Sequence, residues 1–457
     1  MNLKATKTTF PKYPAYKDSG VEWMGEVPEG WKIKKLKFLG KIYPGLNGKK
    51  GDDFSKEYHP EMKPFIPFTN IYNNFKIDET KYQFVKVADS ELQNRVEKFD
   101  LLFLMSSETI EDIGKCSLYD GEDSELYLNS FCKGFRLTSL QVYPYFINYL
   151  LKGEAYRKYF SITGRGFTRI NIKQEYVNDL VIPLPTILEQ TVIANFLDDK
   201  TAKIDRVIAQ KQQMIALLKE RKQIIIQNAV TGQLKMDNGQ WIMRPKSEMK
   251  HSGVEWIGEI PEGWEVKRLK YVLKERNERS ATGDEPLLMM SQVHGLVVRS
   301  EFHDKAEVAA SSVGNKLVQH GDLVFNKLKA HLGVFFKSTV DFKGLVSPDY
   351  AVYYSNGLIQ DVKYLELLFR HPVYIGQFII RATGVAEGLI RLYTGDLFEI
   401  PIPIPPKEEQ AETLAFIETY SSQVDLLIGS NQSQIEKLKE YKATLIDSAV
   451  TGKIKVS

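Results

Sequence analysis

The chain has 457 residues, enough for roughly two to four ordinary domains and a sizeable buried core. Hydrophobic residues make up 43% and charged residues 26%, ordinary globular values that exclude wholesale disorder and a collagen-like fibre. The formal charge is only +3, from 61 basic against 58 acidic residues, so bulk charge announces no nucleic-acid partner and any such binding must rest on local chemistry.

Met1 to Phe10 carries lysines but no apolar core, so no secretory signal is expected, and no run of eighteen apolar residues predicts a spanning helix. The expectation is a soluble, cytoplasmic protein without membrane contact. Cys116 and Cys132 lack a CxxC or histidine pattern, and the 7 histidines are scattered, so neither zinc nor a disulfide framework is expected.

The first element is a lead-in, Ser19-Gly-Val-Glu-Trp-Met-Gly-Glu-Val-Pro-Glu-Gly-Trp31. It returns, displaced by 233 positions, as Ser252-Gly-Val-Glu-Trp-Ile-Gly-Glu-Ile-Pro-Glu-Gly-Trp264, with only Met24 to Ile257 and Val27 to Ile260 changed. Between the lead-in and the next repeated motif lies a variable segment, about residues 38–180. It holds a short apolar strand, Pro64 to Ile71, ending in the hydrogen-bonding pair Thr69 and Asn70, then a strand Asp100 to Phe103 followed by a loop with Ser106, Ser107 and Thr109. Gly134 to Leu137 reads as a further strand of the same sheet. Near the exit a glycine-bearing turn carries Arg165, Thr168 and Arg169.

The exit motif is Ile182-Pro-Leu-Pro185 with Glu189-Gln190, and it returns at a displacement of 220 as Ile402-Pro-Ile-Pro405 with Glu409-Gln410. From Ile187 to Ala229 there is neither Gly nor Pro, and Gly232 stands just past the end, so one long helix of about 65 Å is predicted, at about 1.5 Å per residue. Thr186 with Glu189 forms a candidate capping box; Pro406 replaces the threonine in the second copy. Leu197, Ile204, Ile208, Ile215, Leu218, Ile225 and Ala229, with Thr201, Lys211 and Lys222 between them, alternate in threes and fours as a heptad seam. The second copy repeats it with Ile417, Val424, Ile428, Ile435, Leu438, Leu445 and Ala449, and with Ser421, Asn431 and Lys442 in the gaps. So narrow a stripe suits a helix partner better than a broad domain face. A glycine in a helix interior costs about 1 kcal/mol, so Gly429-Ser-Asn431 is where the second rod is expected to bend or fray.

The second variable segment, about 271–400, keeps the skeleton of the first. Pro286 to Val293 is the matching strand, ending at Ser291 and Gln292. Asp322 to Phe325 is followed by a loop with Asn326, Lys327, Lys329 and His331. Tyr350 to Tyr354 matches Gly134 to Leu137, and Thr383 to Leu392 is a second glycine-bearing turn ending in Arg391. One frame with two sets of polar loops is what two readers of different sequences would need. Arginine and lysine suit guanine edges and phosphates, and Asn and Gln suit adenine edges. The plain alternative is that Arg169 and Arg391 brace turns, that Lys327 and Lys329 are solvated charges, and that Ser106, Ser107 and Thr109 form a loop.

Catalytic motifs are missing: there is no Gly-x-Ser-x-Gly elbow, no His-Glu-x-x-His, no P-loop and no amino-methyltransferase Pro-Pro-aromatic run. Glu265 and Lys267 beside Trp264 superficially resemble a nuclease cluster, but the twin copy has Lys32 where Glu265 stands. A non-catalytic chain is expected. A coiled-coil adaptor that binds only proteins is the competing reading, and a self-sufficient methyltransferase or nuclease is disfavoured.

The duplicated Ser-Gly-x-x-Trp-x-Gly-x-x-Pro-x-x-Trp lead-in, the Ile-Pro-x-Pro-x-x-x-Glu-Gln exit and the Ala-Val-Thr-Gly-x-x-Lys helix ending together resemble the specificity subunit of type I restriction-modification systems, across essentially the whole chain. The resemblance implies an α+β protein with an internal pseudo-two-fold repeat. Two mixed α/β target recognition domains would be joined by two long helices forming an antiparallel coiled coil. Residues 1–180 would be the first recognition domain, 181–250 the central helix and linker, 251–400 the second recognition domain and 401–457 the distal helix. Each domain would read one half of a split asymmetric site in double-stranded DNA, and the paired helices would set the unread spacer. The partners implied are two modification (methyltransferase) subunits and the restriction (translocase and endonuclease) subunits. No cofactor is expected in this chain; S-adenosylmethionine, ATP and Mg would belong to those partners.

Overall fold

The computed structural model of the protein describes residues 10–166, 168–292, 294–302, 312–384 and 391–456, with the backbone alone for Ala330 and His331. The chain divides into two compact units, one of Met1–Lys211 with Gln432–Ser457, the other of Gln212–Asn431. Each unit therefore contains one variable segment and a stretch of both long helices.

In the first unit a four-stranded antiparallel sheet runs in the order Cys116–Leu118, Leu101–Leu104, Cys132–Leu137, Gly40–Pro44. Alternation along Leu101–Leu104 places Leu101 and Phe103 in one apolar cluster with Phe146, Ile147 and Phe160, and Leu102 and Leu104 in another with Ile66, Ile71 and Leu128. A strand covered on both faces reads as an unbroken apolar run, as this one does. The second unit repeats the sheet as Leu273–Glu275, Tyr350–Ser355, Leu323–Asn326, Phe335–Lys337. Leu323 and Phe325 again face one cluster, and Val324 the other.

A buried carboxylate stands at the head of the central strand in both units. Asp100 accepts from Arg136 Nε and Nη2 at 3.1 and 2.9 Å, from the Tyr43 hydroxyl at 2.6 Å and from the Glu97 N–H at 2.8 Å. Asp322 accepts from Arg276 Nε and Nη2 at 2.8 and 3.0 Å and from the Gln319 N–H at 2.8 Å. Arg136 lies over the ring of Tyr43, and Arg276 over that of Tyr354, at 5.0 Å in each case. By strand register Arg276 occupies the place of Tyr43, and Tyr354 that of Arg136. The two units have exchanged arginine and tyrosine between neighbouring strands while keeping the cation on the carboxylate.

The repeated motifs form the seat of the helices. Lys32–Lys35 pairs antiparallel with Val181–Leu184, and Glu265–Arg268 with Pro401–Ile404. The Thr186 hydroxyl accepts from the Glu189 N–H at 3.3 Å, but the Glu189 carboxylate does not return to the cap. It accepts instead from Trp31 Nε1 at 3.3 Å and the Tyr13 hydroxyl at 2.6 Å, so the expected capping box is half made. Glu409 takes Trp264 Nε1 at 2.9 Å and Arg244. The buried Gln190 amide donates to the carbonyls of Gln141 and Pro185 and accepts from the Tyr143 N–H; Gln410 does the same with Leu358, Pro405 and Gln360. The Glu-Gln dipeptide is thus a bolt between variable segment and helix.

The long helices span Ile187–Val230 and Lys407–Val450. Both stop at a glycine with φ +75°, Gly232 and Gly452, where a Cβ would meet Pro261 and Pro28 at 2.4 Å. They pair antiparallel: in the first unit Asp205 meets Lys442 at 2.6 Å and Lys211 meets Gln434 at 2.5 Å, and in the second Lys222 meets Asp425 at 2.7 Å. Every apolar heptad position is buried or half-buried, and near the helix ends Ile193, Ala194, Ile226, Val230, Ile446 and Val450 are buried as well, in the cores of the globular segments. Leu197, Ile204, Ala229, Ile417, Val424, Ile428, Ile435, Leu445 and Ala449 are buried, and Ile208, Ile215, Leu218, Ile225 and Leu438 are half-buried. The expected fraying at Gly429 is not there. The helix runs through it, with open space around the glycine and with Asn431 Nδ2 bonded to the Leu427 carbonyl at 2.9 Å, because packing before and after outweighs a local propensity.

Candidate nucleic-acid interface

In the first unit the loop after the central strand and the glycine-bearing exit turn are sewn together. Ser106–Ser107 pairs antiparallel with Ile170–Asn171, and the Ile172 N–H donates to the Met105 carbonyl at 3.0 Å. Arg165 and Asn171 exchange backbone hydrogen bonds at 3.0 and 2.8 Å, closing the turn. Gly166 within it has φ +143°, and a Cβ there would lie 1.8 Å from the Arg169 carbonyl oxygen, so only glycine fits. The result is a cleft of about 600 Å³ whose wall includes Thr69, Tyr72, Ser106, Ser107, Phe131 and Arg169. The Arg169 guanidinium lies over the half-exposed Phe131 ring at 4.6 Å. Lys115 Nζ lies 3.9 Å from the Tyr72 ring centroid and 2.6 Å from Asp112, which also lines the cleft. Arginine on an aromatic face and hydroxyls can take base edges and phosphates, and a carboxylate in the same open cleft can accept from a base amino group.

Not every residue singled out from the sequence lies there. The expected strand Pro64 to Ile71 is Met62–Ile66, ended by Pro67, which has no N–H for a ladder, and followed by the short helix Phe68–Asn73. That helix turns Thr69 outward and Asn70 inward. Asn70 is buried, with Nδ2 bonded to the Asp78 carbonyl at 2.9 Å and Oδ1 accepting from the Asp78 N–H at 3.0 Å, so it braces a loop. Arg165 folds back on the carbonyls of Ile162 and Gly164, and Thr168 is exposed. Glu108 lines the cleft from the same loop as Ser106 and Ser107, whereas Tyr72, Asn129 and Phe131 line it but escape sequence reading. These three come from separate stretches that only strand pairing brings together, and no local pattern marks them.

The second unit has the same stitching with other residues. The Leu392 N–H donates to the Lys327 carbonyl at 3.1 Å, and Thr383 and Arg391 exchange backbone hydrogen bonds at 2.9 Å. Arg391 pairs with Asp349 at 2.6 Å, and Lys327 Nζ stands 3.8 Å from Glu275. Burial, with the Lys316 charge next in weight, holds the Lys327 pKa below the ordinary lysine value. Asn326 is buried and its Oδ1 accepts from the Leu328 N–H at 3.0 Å, so it caps the 3-10 turn Lys327–Leu332. Lys329 is exposed in that turn. Ser291 ends the strand Leu288–Ser291, which pairs with Gly295–Val298, and Gln292 is exposed in the connecting turn. The side chain of His331, and residues 385–390 of the exit turn including Glu387, lie outside the described residues.

Among the described residues no group of three or more His, Cys, Asp or Glu is placed to hold a metal ion, and no helix is long and apolar enough to cross a membrane. Cys116 and Cys132 are buried and unpaired, and burial raises both thiol pKa values, Cys116 to about 12.

Comparison with known proteins gives a consistent picture. The family described as "Type I restriction modification DNA specificity domain" matches residues 28–217. A putative type I restriction enzyme specificity subunit, MjaX, of Methanocaldococcus jannaschii is 28% identical over 447 residues, covering 95% of this chain and 96% of that protein. The EcoKI specificity subunit of Escherichia coli (strain K12) is 24% identical over 438 residues, covering 94% and 90%. Among solved structures, the HsdS subunit from Thermoanaerobacter tengcongensis aligns with a TM-score of 0.52 at 16% identity, covering 94% of this chain and 98% of that one. A chain from a structure on complex assembly and conformational transition of the type I R-M system aligns with a TM-score of 0.64, also at 16% identity, covering 94% and 99%. At that identity the structural likeness speaks for the fold.

Proposed function

We propose, from the premise that this chain belongs to the specificity subunits of type I restriction-modification systems, that it reads a split asymmetric DNA site with one half-site per unit. It is a non-catalytic subunit: the adenine-N6 methyltransferase and the ATP-dependent endonuclease reside in the other subunits of the complex. Two modification subunits would dock on the duplicated modules, with the restriction subunits joining that core in the cytoplasm. S-adenosylmethionine, ATP and Mg would be bound by those partners.

The observation that carries the reading is the shared frame with unlike loops. Sheet order, the buried aspartate, the Glu-Gln bolt and the stitched exit turn recur in both units. The side chains they present do not: serines and an arginine on Phe131 in one, lysines and an arginine on Asp349 in the other. An adaptor for one kind of protein partner would have no use for two contact sets. The long helices begin in one unit and end in the other, which suits a ruler that sets the spacer and raises the effective concentration of the second reader once the first is bound.

Replacing residues 271–400 with the equivalent segment of another specificity subunit tests this. Sequencing of methylated sites should show one half of the target changed and the other intact. A change in both halves would refute one reader per unit.

A further inference from the structure

A second cleft of the first unit, of about 700 Å³, opens where the globular segment meets the paired helices. It shares Tyr72 and Asn73 with the candidate reading cleft, so the two are neighbours. Four cations line it: Lys115, Lys152, Arg157 and Lys442. Lys115 is answered by Asp112 and Lys442 by Asp205, each at 2.6 Å. The other carboxylate of the cleft, Asp198, takes the Tyr149 hydroxyl at 2.6 Å.

Lys152 is not answered. Among the described residues no carboxylate lies within ion-pair distance of its Nζ, which sits 5.1 Å from the centre of the Phe75 ring. Burial pushes its pKa down to about 8. Arg157 gives Nη2 to the carbonyls of Glu111 and Ile113 at 2.8 and 2.7 Å and leaves Nη1 buried without a partner. Desolvating a cation without a counter-ion opposes folding, so a fold that keeps one in an open cleft retains it for an anion that comes from outside.

A cleft of about 780 Å³ stands at the equivalent place in the second unit. There Lys222 and Asp425 replace Lys442 and Asp205, Ser421 replaces Thr201, and Arg370 replaces Lys152, although Arg370 is answered by Glu366 at 3.0 Å, so the unanswered cation belongs to the first unit. A cationic cleft that recurs while the reading loops diverge suits a ligand feature shared by half-sites of unlike sequence. In a duplex that shared feature is the phosphate backbone.

We propose that the first unit's cleft holds a backbone phosphate of the duplex beside the base-reading cleft, with Lys152 as its counter-ion and Arg157 adding positive potential from behind. This rests on the reading of the chain as a DNA-binding subunit. In the complex with its modification subunits, Lys152→Gln should weaken binding of cognate and unrelated duplexes by the same factor. It should lower the slope of log affinity against log salt by about 1 and leave the methylated sequence unaltered, while Lys152→Arg keeps the slope. Protection of Lys152 from an amine-acylating reagent supplies the second readout, and duplex of either sequence should protect it.

An unaltered salt slope, or a changed target letter, overturns the proposal. Protection by millimolar inorganic phosphate but not by duplex makes the cleft a free-anion site and overturns the backbone as the source. Protection by the modification subunits without DNA would make the occupant an acidic protein surface and overturn it equally. If the wild-type complex shows no salt-dependent duplex binding, the DNA reading itself fails; an unaltered slope on a normal wild-type background removes the phosphate site alone.

Discussion

Asp100 and Asp322 carry a charge into the centre of each unit, and their surroundings show what the fold requires there. A carboxylate that is 1% exposed needs its cation, and the cation arrives from either of two neighbouring strands. Arg136→Tyr alone should therefore leave the carboxylate uncompensated and cost about 3–5 kcal/mol in urea denaturation. Adding Tyr43→Arg rebuilds in the first unit the arrangement seen in the second and should recover most of that loss. A double variant no more stable than the single one would mean that the two strands are not interchangeable hosts for the cation. The lining of the candidate cleft was only partly legible. Ser106, Ser107 and Arg169 stand out because they follow a strand or a glycine turn, and they do line one cleft. Asn70 stands out equally and is a loop brace, since side-chain chemistry alone does not tell which face of a short helix a residue occupies. Tyr72 and Phe131 are invisible to any local pattern because their neighbours are set by long-range pairing.

At the scale of elements, period and punctuation were enough for the long helices and too little for the sheets. The apolar positions in the stripe of threes and fours are all buried or half-buried, and the glycines after Val230 and Val450 mark the helix ends within two residues. Direction was not in the stripe. It follows from the pairs, since Asp205 and Lys211 find partners at Lys442 and Gln434, descending as the first numbers rise. Those pairs are partly exposed and each adds little stability, but they penalise the parallel alternative. Inserting one heptad in both helices at matched positions, after Lys211 and before Gln434, keeps seam and pairs in register and lengthens the rod by about 10 Å. If the helices are the ruler, mapping of methylated sites should show the same two half-sites about three base pairs further apart, at about 3.4 Å per pair. An unchanged spacer in a complex that still methylates would remove the ruler from the account.

For the whole molecule, the duplication is the strongest signal in the chain, because thirteen aligned positions, eleven of them identical, define one structural seat used twice. Repeated contacts place the variable parts: the Glu-Gln bolt fixes each globular segment to its helix, and the stitched exit turn fixes each polar loop to its sheet. That division fits a near-neutral chain that reads DNA as proposed, with cations gathered locally in the clefts. The most direct test is genome-wide mapping of methylated adenines in cells that carry the modification subunits, with and without this chain. The account predicts one new motif, made of two unlike parts separated by a fixed gap of unread bases. A contiguous or palindromic motif, or a methylation pattern that the chain leaves unaltered, would contradict it.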